Sequence, residues 1–153
     1  MADPHFGHGN IIEYEKRPFR DVEHMNSRLI AEANMRAKKG DTLVNVGDFL
    51  CRGVARGVEG LRHPWDFYAD QFLATLILLE GNHDKNNRVK TAGRALIGRM
   101  SHFNFAAFHL PMDNEGNDPL FVDWVRKSCA FAIVGHVHIK WAERRHDDGF
   151  VEI

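Results

Sequence analysis

Thr75-Leu76-Ile77-Leu78-Leu79-Glu80-Gly81-Asn82-His83-Asp84 is the stretch on which the reading of this chain turns. Its apolar run, closed by Gly81, predicts a buried strand that empties into a loop. The loop then presents an amide oxygen, an imidazole and a carboxylate in succession, at Asn82, His83 and Asp84. Alone, such a triplet is an ordinary turn, because Asn, Asp and Gly are the usual turn formers. Its meaning depends on whether other strand exits deliver similar groups.

They do. Thr42-Leu43-Val44-Asn45-Val46 predicts a short strand that ends in Gly47-Asp48. A carboxylate at the C-terminal end of a strand lies where open α/β sheets place ligands. The aromatic-rich run from Phe103 to Phe108 predicts a buried strand that releases His109. Ala130-Phe131-Ala132-Ile133-Val134 predicts another, which releases Gly135-His136-Val137-His138. Near the N-terminus Asp3 and His5 stand two apart, so an extended chain projects both to one side.

Helices are expected between these strands. Residues 11–17 predict a short one, stopped by Pro18. Asp21 is an N-cap candidate for a longer helix in which Val22, Met25, Leu29 and Ala33 recur at helical spacing. Lys38, Lys39 and a C′ Gly40 would close it. Residues 65–73 predict a helix with Phe67, Phe72 and Leu73 inward, and Asp118-Pro119 opens another with Phe121, Trp124 and Val125 inward, ending near Cys129. Residues 50–63 show no clean period and read as loop or weak helix. The basic segment with Lys85, Arg88, Lys90, Arg94 and Arg99 reads as a solvated face, with anion contact as the alternative. The tail alternates through Ile139 and Trp141, turns at Asp147-Asp148-Gly149 and restarts at Phe150.

A length of 153 residues suits one domain, 1–153, with a single core, and 44% hydrophobic with 27% charged residues is an ordinary globular composition. The formal net charge of −1 gives no global basic field for nucleic acid. No apolar run is long enough to span a membrane. Two cysteines, Cys51 and Cys129, in no CxxC pair, point away from a disulfide framework and towards a reducing cytoplasm. Histidine is over-used, at 10 residues, and several stand beside Asp, Asn or Gly.

Five places therefore deliver metal-capable side chains: Asp3/His5, Asp48, Asn82/His83, His109 and His136/His138. Mixed carboxylate, imidazole and amide ligands suit Mn, Fe, Zn, Co or Ni. One ion does not need so many ligands; two divalent metal ions sharing a bridging carboxylate would use them. No HExxH helix, Walker-type glycine loop, GxSxG elbow or EF-hand accompanies the set.

The order D-x-H, GD, GNHD, H, GHxH resembles the calcineurin-like metallophosphoesterase superfamily, over nearly the whole chain from Asp3 to His138. The opening Asp3-Pro4-His5-Phe6-Gly7-His8, followed by Asn10-Ile11-Ile12, is similar to a group of small bacterial and phage phosphoesterases. The resemblance implies an α/β fold of two mixed β-sheets packed as a sandwich and flanked by helices, in four α/β/β/α layers. It implies one metal on Asp3, His5, Asp48 and His138, and a second on Asp48, Asn82, His109 and His136, with Mn the first candidate. A metal-bridging hydroxide would attack phosphorus. His83 would contact the phosphoryl group and protonate the leaving oxygen, and Asp84 would orient its ring. His8, Asn10 and Arg88 are candidates for substrate contact. Only Met1 and Ala2 precede Asp3, so the strand that carries this motif in the family is shortened and would support Asp3 and His5 poorly.

The implied activity is metal-dependent hydrolysis of a small phosphoester, with a phosphodiester favoured. Two rival readings are a catalytically silent metal-binding scaffold on the same fold and a metal-dependent nuclease. Among partners, nucleic acid is the less favoured, no membrane is expected, and self-association into a homo-oligomer stays open.

Overall fold

The computed structural model describes residues 1–51, 63–138 and 143–153. Most of the expected 50–63 loop, together with Ile139 and Trp141, lies outside the described residues. Two sheets form. The first pairs β1 (Thr42–Asn45) in parallel with β2 (Thr75–Leu78). The second runs in the order β3-β4-β5-β7-β6, built from β3 (Ala95–Met100), β4 (Phe103–Phe108), β5 (Phe131–Val134), β6 (Arg144–Arg145) and β7 (Val151–Glu152). Strands β4, β5 and β7 are parallel neighbours, while β3 and β6 are antiparallel edges.

Side-chain alternation along the strands explains the layering. Leu43, Leu76 and Leu78 face one way and pack with Ile30 of α2 (Val22–Arg36), Tyr68 of α3 (Trp65–Ala69), Phe6, Phe49 and Phe72. Their neighbours Val44, Ile77 and Leu79 face the other way and meet Leu96, Ala107 and Ile133 of the second sheet. The far face of that sheet, Ala106, Phe108, Ala132 and Val134, is covered by Val125 and Phe121 of α4 (Pro119–Ser128). The result is a helix, sheet, sheet, helix sandwich, as the family resemblance implies.

Both longer helices carry the expected caps. The Asp21 carboxylate accepts from the His24 amide at 2.7 Å, and the Asp118 carboxylate accepts from the Leu120 amide at 2.8 Å. A short α1 (Ile11–Tyr14) stands before Pro18.

Several boundaries differ from expectation. Helix α2 stops at Arg36, short of Gly40, because the Asp41 carboxylate captures the Lys38 amide at 2.7 Å and turns the chain there. Helix α3 ends at Ala69, and Asn34 of α2 then takes the Gln71 carbonyl and the Leu73 amide. Leu73 and Phe67 consequently face solvent, and the buried aromatic of α3 is Tyr68. Trp124 is 45% exposed, so Val125 and Phe121 form the inner stripe of α4. Only the C-terminal half of β4 is buried. The basic segment contains an unexpected strand, β3, in which Gly98 leaves room for the Phe105 ring of β4.

The shortened first strand is also resolved. No regular strand forms over residues 1–5, yet that segment is tied along β1 and its exit. The Met1 amino group donates to the Val44 carbonyl at 2.8 Å, and the Asp3, His5 and Phe6 amides donate to the Gly47, Asp48 and Phe49 carbonyls at 3.0–3.2 Å. Asp3 and His5 are therefore supported by backbone pairing without a full strand.

Candidate metal centre

Strands β1, β2, β4 and β5 release Asp48, Asn82, His109 and His136 within one to four residues of their last positions. All four exits converge with the N-terminal segment. Asp48 is central and 1% exposed. Its Oδ2 lies 3.6 Å from His5 Nε2, 3.4 Å from His109 Nε2 and 3.8 Å from His83 Nε2. The Asn82 Oδ1 sits 2.9 Å from His109 Nε2 and 3.1 Å from His136 Nδ1. The Asp3 Oδ1 lies 3.8 Å from His5 Nε2 and 3.9 Å from His109 Nδ1, and Asp3 Oδ2 accepts from the His136 amide at 2.8 Å. Ligand atoms of Asp3, His5 and His138 lie within 4.8 Å of one another, as do those of Asp48, His109 and His136.

Such crowding needs unusual backbone. Asp3, His5, Asp48, His136 and His138 all adopt positive φ, between 49° and 67°. This left-handed region is unfavourable for residues with a Cβ, and strain of this kind concentrates at functional sites. Two glycines make the approach sterically feasible. A Cβ on Gly81 would collide with the Asp48 amide and carboxylate, and one on Gly135 would lie 2.6 Å from the Val46 carbonyl and 2.9 Å from Asp3 Oδ2.

Burial and mutual contact set the electrostatics of the cluster. Burial pushes the Asp3 carboxyl up from its ordinary range, partly offset by His109 and His138. Burial also acts to raise Asp48, but His109, the His83 amide and His5 outweigh it and hold that carboxyl low. His109 is raised: burial opposes its charged form, and the bond to Asp48 prevails. Burial lowers His5 to about 3, so its imidazole is neutral with a lone pair to give. Among the described residues, the buried side-chain atoms with no hydrogen-bond partner include Asp3 Oδ1 and both ring nitrogens of His5. Native proteins leave few such atoms unsatisfied. Orphaned carboxylate and imidazole atoms that face one another fit a divalent cation held among them, and the donor set suits a borderline or fairly hard metal.

The other expected site residues distribute differently. His83 is partly exposed at the rim, its amide donating to Asp48 Oδ1 at 2.8 Å and its Nδ1 lying 3.7 Å from Cys51 Sγ. Asp84 does not reach that ring. Its fully buried carboxylate accepts from the Leu50 amide at 3.2 Å and the Gly81 amide at 2.9 Å, so it pins the loop that carries Asn82 and His83. His8 stacks obliquely on His5, with ring centres 5.6 Å apart. Asn10 stands at the start of α1, and Arg88 is exposed with φ of 57°. A cleft of about 420 Å³ opens beside Asn82 and His109, and the basic residues on its wall are Lys85 and Arg94, not Arg88.

One residue had no signal in the sequence. The Arg17 guanidinium donates to the Asp3 carbonyl at 2.8 Å and the Pro4 carbonyl at 3.0 Å, and it lies 3.4 Å from His138 Nδ1. It brackets the first motif against the last.

No family model matches the chain. The chain is similar to an uncharacterized protein of Methanocaldococcus jannaschii, 34% identical over 86 residues, a match covering 56% of this chain and 45% of that protein. It thus spans less than half the length of this curated relative. Among solved structures it is similar to a protein of unknown function from Aquifex aeolicus, with a TM-score of 0.65, 22% identity, and coverage of 93% of this chain and 79% of that one. That likeness places the sandwich among experimentally observed folds. Structural neighbours also include Vps29 from Entamoeba histolytica complexed with Zn²⁺ (TM-score 0.48, 14% identity, 82% of this chain and 62% of that one). A predicted phosphoesterase from Streptococcus pneumoniae TIGR4 is another (TM-score 0.43, 13% identity, 99% of this chain and 67% of that one).

Proposed function

We propose that this chain is a dinuclear metal-dependent phosphoesterase, with phosphodiesters as the favoured substrate class. The observation that carries the reading is the pair of ligand groups, Asp3/His5/His138 and Asp48/His109/His136, set side by side with Asn82 Oδ1 between two imidazoles. Asp48 is the residue placed to serve both. Two divalent cations there, Mn²⁺ first among the candidates, would supply Lewis acidity towards phosphoryl oxygens and a water nucleophile at neutral pH.

The chain's own residues do the rest. Asp84 and Gly81 fix the loop, so Asn82 and His83 are presented in a set orientation. His83, at the rim and 3.8 Å from Asp48 Oδ2, is placed to give a proton to a departing alkoxide. The cleft beside Asn82 and His109 offers room for the ester group, with Lys85 and Arg94 along its wall.

The test is hydrolysis of bis-p-nitrophenyl phosphate by protein first stripped with chelator, then reloaded with Mn²⁺. Turnover that returns with Mn²⁺ is expected, and His83→Ala should keep the metal while losing about 10²–10⁴-fold in rate. Metal shown to be bound without any metal-dependent turnover would overturn the enzyme reading and favour a silent metal-binding scaffold.

A further inference from the structure

We propose that His5, His8 and Cys51 form a separate site for a thiophilic divalent cation, of the Zn²⁺, Cd²⁺ or Co²⁺ kind, against the flank of the centre described above. One ligand atom from each of the three residues lies within 4.8 Å of the other two. Cys51 and His5 are buried, His5 with only 2% of its surface exposed. Among the described residues, both His5 ring nitrogens and His8 Nδ1 are buried without a hydrogen-bond partner. His5 Nε2 faces the Asp3 and Asp48 carboxylates, whereas among the described residues no ion pair is formed by His8.

The sulfur sets the selectivity. Asp3, Asp48, Asn82 and the histidines of the main centre offer only oxygen and nitrogen, whereas a thiolate selects softer ions over Mg²⁺ or Mn²⁺. On binding, the Cys51 S–H bond breaks, a sulfur–metal bond forms and the proton leaves to solvent. The site goes beyond the proposed reaction and bears on it in one way. Cys51 Sγ lies 3.7 Å from His83 Nδ1, and His5 belongs to both ligand sets. A soft cation on Cys51 therefore takes hold of groups that contact the phosphoester site, and thiophilic ions would act as inhibitors of Mn²⁺-supported turnover.

Cys129 supplies the internal control. It is buried in the cluster of Phe108, Met112 and Val125, where burial pushes its thiol up. Titration with Co²⁺, read by absorption, decides the matter. Wild-type protein should develop a near-ultraviolet thiolate-to-cobalt charge-transfer band. Cys51→Ser should lose it, Cys129→Ser should keep it, and His8→Ala should need at least tenfold more Co²⁺ to reach it. Cobalt bound, as seen from its visible d–d absorption, with no charge-transfer band in the wild type would overturn the site. So would a band that vanishes in Cys129→Ser and survives in Cys51→Ser. Should Cys51→Ser not fold, His8→Ala decides, because an unchanged Co²⁺ dependence there overturns the site equally. None of these spectra depends on phosphoester turnover, so failure here and failure of the proposed reaction are told apart.

Discussion

Arg17 shows how a site can depend on a residue that offers it no ligand. Its guanidinium spans the Asp3 and Pro4 carbonyls and approaches the His138 ring, so it fixes the first motif against the last through hydrogen bonds alone. Burial lowers its pKa, partly offset by Asp3. Partners that orient ligands from behind are commonly worth about 10–100-fold in metal affinity or activity. Arg17→Met keeps much of the volume and removes every donor. Mn²⁺ affinity measured by calorimetry should fall by about that factor, and an unchanged affinity would reduce Arg17 to packing. At this scale the sequence shows ligand chemistry well, since Asp, His and Asn announce themselves. It hides the brackets, because an arginine just before Pro18 looks like any solvated cation until residues 1–17 fold back on themselves. Asp84 is the same lesson reversed: beside His83 in sequence, its carboxylate turns away to the Leu50 and Gly81 amides.

Among the elements, strands written as apolar runs and helices with side-chain caps were legible. Leu43 and Val44 face opposite layers, as do Leu76 and Ile77, and Asp21 and Asp118 cap the helices they precede. Strand β3 was not legible, because Arg99 and Gly98 interrupt its apolar pattern, and Gly98 is there to seat the Phe105 ring of the neighbouring strand. Such a reason is tertiary and leaves no local trace. The α2 cap gives a measurable separation between scaffold and site. Asp21→Ala removes the acceptor for the His24 amide and should cost about 1 kcal/mol. Thermal unfolding should shift by roughly 2–4 °C for a chain of this size. Mn²⁺ affinity should stay unchanged; a large loss of metal would mean that α2 positions the centre more directly than its cap suggests.

Over the whole molecule, the topology sends the exits of parallel strands to one end and so joins residues far apart in sequence, such as the His136 amide and Asp3, 133 positions distant. The convergence was foreseeable only as a set, because each motif alone reads as a turn. It has an energetic consequence. Folding buries the Asp3 carboxylate beside a neutral His5, and there burial outweighs the groups that favour its charge, so that charge costs stability. A cation that binds only the folded chain offsets that cost by RT ln(1 + [L]/Kd), about 2.7 kcal/mol at a hundredfold excess over Kd. Melting of chelator-treated protein should therefore rise by roughly 5–10 °C when Mn²⁺ is added at that excess. Asp48→Asn tests the cause. It removes the charge central to both ligand groups, so the Mn²⁺ shift should shrink to a small remnant, while the metal-free protein should melt lower than wild type because the charge paired with His109 is lost. Equal melting of the wild type with and without Mn²⁺ would show that the buried carboxylates are balanced by protein groups alone. It would remove the energetic argument for a metal centre altogether.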